Sequence, residues 1–542
     1  MKRKTATPEF EYGLKQEECA ALRGALDTVP RLERAVLFGS RATGTFSPAS
    51  DVDLALYGDA LTLADQATLA ARIEDLNLPV TVDLVRVATI DSTALRQHIE
   101  EQGKLFYQRK TTSQRVPGSC GEVVDEWLET TLGDVVRLQR GHDLPETQRQ
   151  AGDVPVMGSF GITGWHNKAI EEGPGVTVGR SGASIGEVSY IDRPYWPLNT
   201  CLYVTDFLGN DPKFCYYWLK EQDLAAFNSG SAQPSLNRNY VYLKRVSLPK
   251  YVEEQRSIAH ILGTLDDKIE LNRKMNETLE AMARALFQSW FVDFDPVRAK
   301  AAVRREHPRW TDAEVCRAAL PTLSPEIAAL FPDSFENSPL DNIPKGWCVE
   351  TIDNLAEAVG GSTPSTKEQT YWSPEDHSWA TPKDLSALRS PVLLQTERKI
   401  SEDGLRQISS GLLPAGTVLM SSRAPIGYLA VAETPVAINQ GFIAMKPKEN
   451  VSNLFLLYWA ECAQEAIKSR ANGSTFLEIS KSNFRQIEII RPTSRLMEKF
   501  DSIVRPWYRQ VANNERQSST LAALRDTLLP KLISGEIRLE EC

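Results

Sequence analysis

RSGASIGEVSYIDRPYWPLNTCLYV, residues 180–204, and SSRAPIGYLAVAETPVAINQGFIAM, residues 421–445, are two copies of one pattern. Gly186 aligns with Gly427, and Asn199 with Asn439. A second pair of stretches repeats at nearly the same distance: NSGSAQPSLNRNYVYLKRVSLP, 228–249, against NGSTFLEISKSNFRQIEIIRP, 472–492. There Gly230 meets Gly473 and Pro249 meets Pro492. A near-constant offset over separated stretches marks an internal duplication, so the duplicated segment performs its task twice.

A long helical pattern follows each copy. Ile258, Leu265, Asn272, Leu279 and Leu286 fall seven apart, and Ile261, Met275 and Met282 supply companion positions, with Lys268 as an exception. In the second copy Phe500, Trp507, Asn514, Leu521 and Leu528 fall seven apart, with Val504 and Val511 beside them. Apolar residues at this period form a coiled-coil seam, and the duplication favours the two helices packing on each other. Asn272 and Asn514 occupy matching places, and a lone Asn in such a seam commonly fixes register. Six prolines and short helical pieces between 291 and 343 predict a structured connector between the halves.

The first 110 residues differ from the rest. Helical spacing over 16–26, 60–76 and 92–106 alternates with short strands at RAVLFGS, DVDLALY and TVDLVRV. RKTTSQRVPGSCGEVVDE follows without periodicity and reads as a linker. The chain has 542 residues, too many for one domain. No run of about 18 apolar residues is present, and the N-terminus lacks the apolar core of a secretory signal, so a cytoplasmic location is expected and no membrane. The eight cysteines form no CxxC pair, which argues against a zinc site or a disulfide scaffold. The net charge of −10 argues mildly against a simple nucleic-acid binder, although local basic patches decide phosphate contact.

Five separated pieces in order carry a family resemblance: WLETTLGDVVRLQRG, RSGASIGE, EEQRSIAHILGTLDDKIELNRKMNETLEAMARALF, SWFVDFDPVRAK and FPDSF with IPKGW. From about Trp127 onward the chain resembles the specificity subunit of type I restriction–modification systems. The resemblance implies two related α/β target-recognition domains held apart by long antiparallel spacer helices. It places the domains at 127–252 and 344–493, the spacer helices at 253–290 and 494–542, and the connector at 291–343. Implied partners are double-stranded DNA, two modification (methyltransferase) subunits and restriction subunits. S-adenosylmethionine and ATP would then bind those partners, and phage defence would be the setting. Side chains that suit base edges or phosphates are Arg180, Arg238, Lys244, Arg245, Arg423, Lys481 and Arg485, each equally able to be plain solvated surface. No Asn/Asp-Pro-Pro-aromatic run, Gly-rich cofactor fingerprint or Walker A sequence occurs, so this part carries no evident catalyst.

LFGSRATGTFSPASDVDLAL carries a second resemblance. Gly39-Ser40, ten residues, then Asp51-Val52-Asp53, with Asp83 in the third strand, resembles the minimal nucleotidyltransferases of the polymerase-β superfamily over residues 15–108. The domain is placed at 1–110 and its linker at 111–126. Asp51 and Asp53 stand two apart, so a strand would point both to one face. Three clustered carboxylates favour divalent cations, here Mg²⁺, which hold the triphosphate of ATP or another NTP. Gly39 lets backbone approach a phosphate, and Ser40 is placed to donate a hydrogen bond to it. By resemblance Asp51, Asp53 and Asp83 are metal ligands, and Asp83 also assists activation of the nucleophile. The minimal group often pairs with a small helical toxin partner and transfers AMP to it, and this chain shows no such partner. No Met lies between Met1 and Met157, which favours a genuine fusion.

The favoured reading is therefore a multidomain α+β chain: a bipartite DNA-specificity subunit with an appended nucleotidyltransferase domain. The alternative is a nucleotidyltransferase, moving AMP to a protein or RNA, that its C-terminal part directs to DNA or a methyltransferase. A scaffold that no longer reads DNA is a third reading, disfavoured because it needs no second recognition domain.

Overall fold

Alternating buried and exposed residues, interrupted by Gly and Pro, build the same pair of sheets in both halves of the duplication. A computed structural model describes residues 127–228, 235–473 and 477–539, and residues 10–109 apart from 30, 48–49, 59–60, 75, 77, 79, 88–95, 97–98 and 100–101. The chain divides into two compact units, Met1–Asp125 with Arg538–Cys542, and Glu126–Ile537.

In the first half, one sheet orders its strands Val188–Ile191, Gly175–Gly179, Cys201–Asp206 and Arg137–Arg140. In the second half, Leu429–Ala432, Val418–Ser421, Phe442–Pro447 and Ala356–Val359 take the same order, with one further strand, Val392–Leu393, at the edge. A smaller sheet also recurs. Val154–Gly158 pairs antiparallel with Gly161–His166 and parallel with Trp196–Pro197. His377–Ala380 likewise pairs antiparallel with Arg398–Ile400 and parallel with Val436–Ile438. The aligned glycines have one structural cause: Gly186 and Gly427 both turn through positive φ, +83° and +107°, where a side chain would strain the backbone. The multidomain α+β chain expected from the sequence, with two related α/β domains and long helices, is the architecture observed.

Each half leads into a long helix, Val252–Phe287 and Ser494–Ser534. The two pack antiparallel, because Asn272 reaches Ser518 while Asn514 reaches Asn276. Those contacts are one pair of positions repeated by the duplication. The seam is present, but its phase in the first helix differs from the reading above. Met275 and Met282 face outward, whereas Leu262, Asn276 and Ala283 are buried. The companion to each seven-fold position lies four residues on, as Val504 and Val511 do in the second helix. Lys268 is then no exception, since it is exposed on the outer face. The three-residue choice failed because Met275 and Met282 are apolar without being core.

Where the first helix ends and the second begins, Phe287, Phe291, Phe455 and Phe500 meet with ring centroids 5.1–5.7 Å apart. Each such buried ring contributes roughly 1.5–3 kcal/mol, which fixes helix ends to the second half. The connector is structured. Helices Asp295–Glu306 and Asp312–Ala319 precede a hairpin of Phe335–Ser338 and Asp341–Pro344. Buried Lys300 donates to the Ala328 and Phe331 carbonyls, closing the end of a short helix.

The N-terminal unit is a four-stranded sheet ordered Val82–Arg86, Val52–Tyr57, Arg34–Phe38 and Lys104–Gln108. Helices Gln16–Asp27 and Leu63–Glu74 accompany it. Most of the helix expected over 92–106 lies outside the described residues. Its last residues are strand instead, because Lys104 and Leu105 pair with Leu37 and Val36. Among the described residues, no helix is long and apolar enough to cross a membrane.

Candidate functional site

The strand Arg34–Phe38 delivers Gly39 and Ser40 to one end of the N-terminal sheet. Phe38 pairs with Asp53, and Asp53 stands in parallel register with Asp83. Parallel partners share a face, so the sheet itself brings these two carboxylates side by side. Asp51 precedes the strand by one residue and is exposed, as is Asp83, while Asp53 is half-buried. Burial holds the Asp53 carboxyl above the usual carboxylate range, and the charges of Asp83 and Asp51 raise it further. All three are thus electrostatically in one place. Gly39 turns at φ +71°, and a Cβ there would run into the Asp53 carboxylate oxygen, so backbone and carboxylate are in close contact.

Among the described residues, no Lys or Arg pairs with Asp51, Asp53 or Asp83. An uncompensated trio of this kind is the donor chemistry a hard divalent cation takes. The side chains as they stand do not form a finished coordination shell: among the described residues no three His, Cys, Asp or Glu groups are close enough to hold a metal ion outright. The residue types and their electrostatics fit the cation.

The seven candidate basic residues of the duplicated unit divide into three kinds. Four are engaged with main-chain carbonyls. Arg180 donates to Asn199 at 3.3 Å, Arg238 to Leu138 at 3.0 Å, and Arg485 to Ala358 at 2.6 Å. Lys244 donates to the Gln222 carbonyl, and burial lowers its pKa. Arg423 lies 3.7 Å from Glu478, and Arg485 also lies 3.5 Å from Asp353. Arg245 and Lys481 are exposed and have no ion-pair partner among the described residues. These two are the freest of the set to meet a phosphate. Sequence reading missed Arg398, which lies 3.7 Å from the Trp372 ring centre and 5.3 Å from that of Trp379. It also missed the exposed Phe160 and Trp165 on the Val154–Gly158 hairpin of the first half. Arg398 leaves no local signal, because Trp372 and Trp379 come to it only through the folded sheet.

Asn272 and Asn514 meet within the helix seam. Asn272 Nδ2 donates to Gln517 Oε1 at 2.8 Å and Ser518 Oγ at 3.2 Å, and its Oδ1 is buried without a partner. Asn514 Nδ2 donates to Asn276 Oδ1 at 2.8 Å. Asn276 continues to Glu515 at 2.8 Å, and Ser390 of the second half donates to the same carboxylate at 2.9 Å. A polar thread therefore runs from the centre of the helix pair into the second sheet domain.

Comparison with known proteins agrees with this division. The family described as type I restriction modification DNA specificity domain matches residues 124–281 and again 344–501. The polymerase beta nucleotidyltransferase family matches residues 21–112. The HindI specificity subunit of a type I restriction enzyme from Haemophilus influenzae is 31% identical over 468 residues, covering 76% of this chain and 100% of that protein. The MjaIX specificity subunit from Methanocaldococcus jannaschii is 36% identical over 189 residues, 34% of this chain and 44% of that one. The S subunit of a type I restriction-modification system from M. genitalium superposes at a TM-score of 0.49 with 18% identity, over 77% of this chain and 98% of that one.

Proposed function

Because the chain belongs to the type I restriction–modification specificity family, with a polymerase-β nucleotidyltransferase region in front, we propose that it reads a bipartite DNA site. Residues 127–252 and 344–493 are the two recognition domains, held at a set distance by the antiparallel helices. Two modification subunits and restriction subunits dock on this frame and supply S-adenosylmethionine, ATP and the chemistry that uses them. The observation that carries the reading is the repeat of both sheets in the same strand order, with one long helix after each. Two like readers on a stiff spacer suit two short sequences separated by an unread gap. Arg245 and Lys481 serve as phosphate contacts; Arg180, Arg238, Lys244, Arg423 and Arg485 shape the loops that carry base-reading groups.

The N-terminal domain, 1–110, is proposed as a metal-dependent nucleotidyltransferase joined by the linker 111–126. Asp51, Asp53 and Asp83 would hold Mg²⁺, which when bound neutralises the triphosphate of ATP or another NTP. Gly39 keeps the backbone open for a phosphate, and the Ser40 hydroxyl donates a hydrogen bond to it. The Asp83 carboxylate, exposed beside Asp53, takes the proton of the attacking hydroxyl.

Both parts are tested on the full chain copurified with its modification subunit. Sequencing of the methylated DNA is expected to show one split motif; a methylome without any split motif overturns the specificity reading. Radiolabelled ATP with Mg²⁺ is expected to label a protein or RNA acceptor. Labelling that persists in Asp51→Ala with Asp53→Ala, or no labelling of any acceptor by the native chain, overturns the transferase reading.

A further inference from the structure

Arg41 follows Gly39-Ser40 by one position and is 2% exposed. A buried guanidinium costs several kcal/mol unless its donors are satisfied, and it ordinarily faces a carboxylate. Arg41 has no carboxylate partner among the described residues. Its donors go to main-chain oxygens instead. Nε reaches the Ser50 carbonyl at 3.0 Å and the Asp51 carbonyl at 3.1 Å. Nη2 reaches the Ser50 carbonyl at 2.7 Å, and Nη1 the Tyr12 carbonyl at 2.8 Å. The Phe46 ring, 5.1 Å from the guanidinium carbon, covers it.

The placement joins three parts of the site. Arg41 lies on the short helix Gly39–Thr43 that begins at the phosphate-facing glycine. Two of the carbonyls it holds belong to Ser50 and Asp51, the residues that lead into the strand of Asp53. The third lies in the N-terminal hairpin of Phe10–Glu11 and Leu14–Lys15. The ten residues between Gly39-Ser40 and Asp51 would otherwise leave Asp51 on a free loop, since it precedes the strand. Arg41 ties both ends of that loop to one planar group.

Resting on the transferase reading, we propose that Arg41 is a positioning residue for the cation site: it sets Asp51 against Asp53 and Asp83 by holding the Ser50 and Asp51 carbonyls. A lysine cannot reproduce this, because one ammonium cannot span the Ser50–Asp51 pair and Tyr12 together.

The test uses the full chain and Mn²⁺ as probe, followed by the loss of its free electron-spin-resonance signal. Arg41→Lys is compared with Arg109→Lys. Arg109 likewise donates to carbonyls of the same unit, those of Leu32, Asp27 and Val29, away from the carboxylates. Thermal melting reports the structural cost of each. Arg41→Lys is expected to weaken Mn²⁺ binding about tenfold or more, the size of effect seen when a ligand loses its support. Arg109→Lys is expected to leave it unchanged at a similar melting shift. In an Asp51→Asn background, Arg41→Lys is expected to add nothing further to the loss. Equal Mn²⁺ affinity in Arg41→Lys and the native chain overturns the proposal, as does equal weakening in Arg109→Lys or full additivity with Asp51→Asn. A native chain that binds no Mn²⁺ overturns the cation reading itself, and this inference with it.

Discussion

Glu280 shows how one residue's surroundings decide its charge. It is half-buried on the first long helix, and burial lifts its pKa from 4.5 to about 7. Glu461, Glu515 and Glu277 raise it and Arg284 opposes them. The folded chain therefore binds more protons here than the unfolded one between pH 4.5 and 7, so stability falls as pH rises through that window. Glu280→Gln is expected to stabilise the chain at pH 8 by on the order of 1–2 kcal/mol and to make no difference below about pH 4.5. Urea unfolding at both pH values measures this; an equal effect at both would contradict it. At the same scale, the Asp53–Asp83 pairing was legible from strand patterning, because parallel register fixes which residues share a face; Asp51, expected on the same strand as Asp53, instead lies one residue before it. Arg41 was not legible, since its partners are carbonyls that the sequence does not mark.

The helix pair is the element on which the proposed bipartite reading depends. Its seven-residue period was legible, but not its phase. Periodicity reports which residues are apolar, and Met275 and Met282 are apolar yet exposed. The partner's contacts decide the buried face, and Asn276, a polar residue, is inside it. Matched seven-residue insertions after residues 274 and 516 preserve the seam and lengthen each helix by about 10 Å. The unread gap of the methylated site is expected to grow by about three base pairs, at 3.4 Å each. An unchanged gap in the methylome would show that the helices do not set the spacing.

At the scale of the whole molecule, the chain forms two compact units. The recognition frame is closed within its own unit: the second long helix ends at Gly535, whose position packs on Trp127 at the start of the first half. Each unit thus has its own core. Asp51→Ala with Asp53→Ala is expected to leave the methylated motif and its gap unchanged, because those carboxylates belong to the other compact unit. A changed motif would show that the N-terminal domain takes part in reading.

The sequence alone determined the duplication, the two long helices and the acidic motif, since repeats, heptads and strand spacing are local or self-similar patterns. Only the tertiary structure decided which candidate arginines are free. A guanidinium bound to a carbonyl a hundred residues away, as Arg238 is to Leu138, looks identical in sequence to one that faces solvent. It also decided that the stretch over 104–108 is an edge strand and that Arg41 binds the Ser50 and Asp51 carbonyls. Both outcomes depend on partners distant in the chain, and hydrogen bonding between such partners leaves no periodic trace.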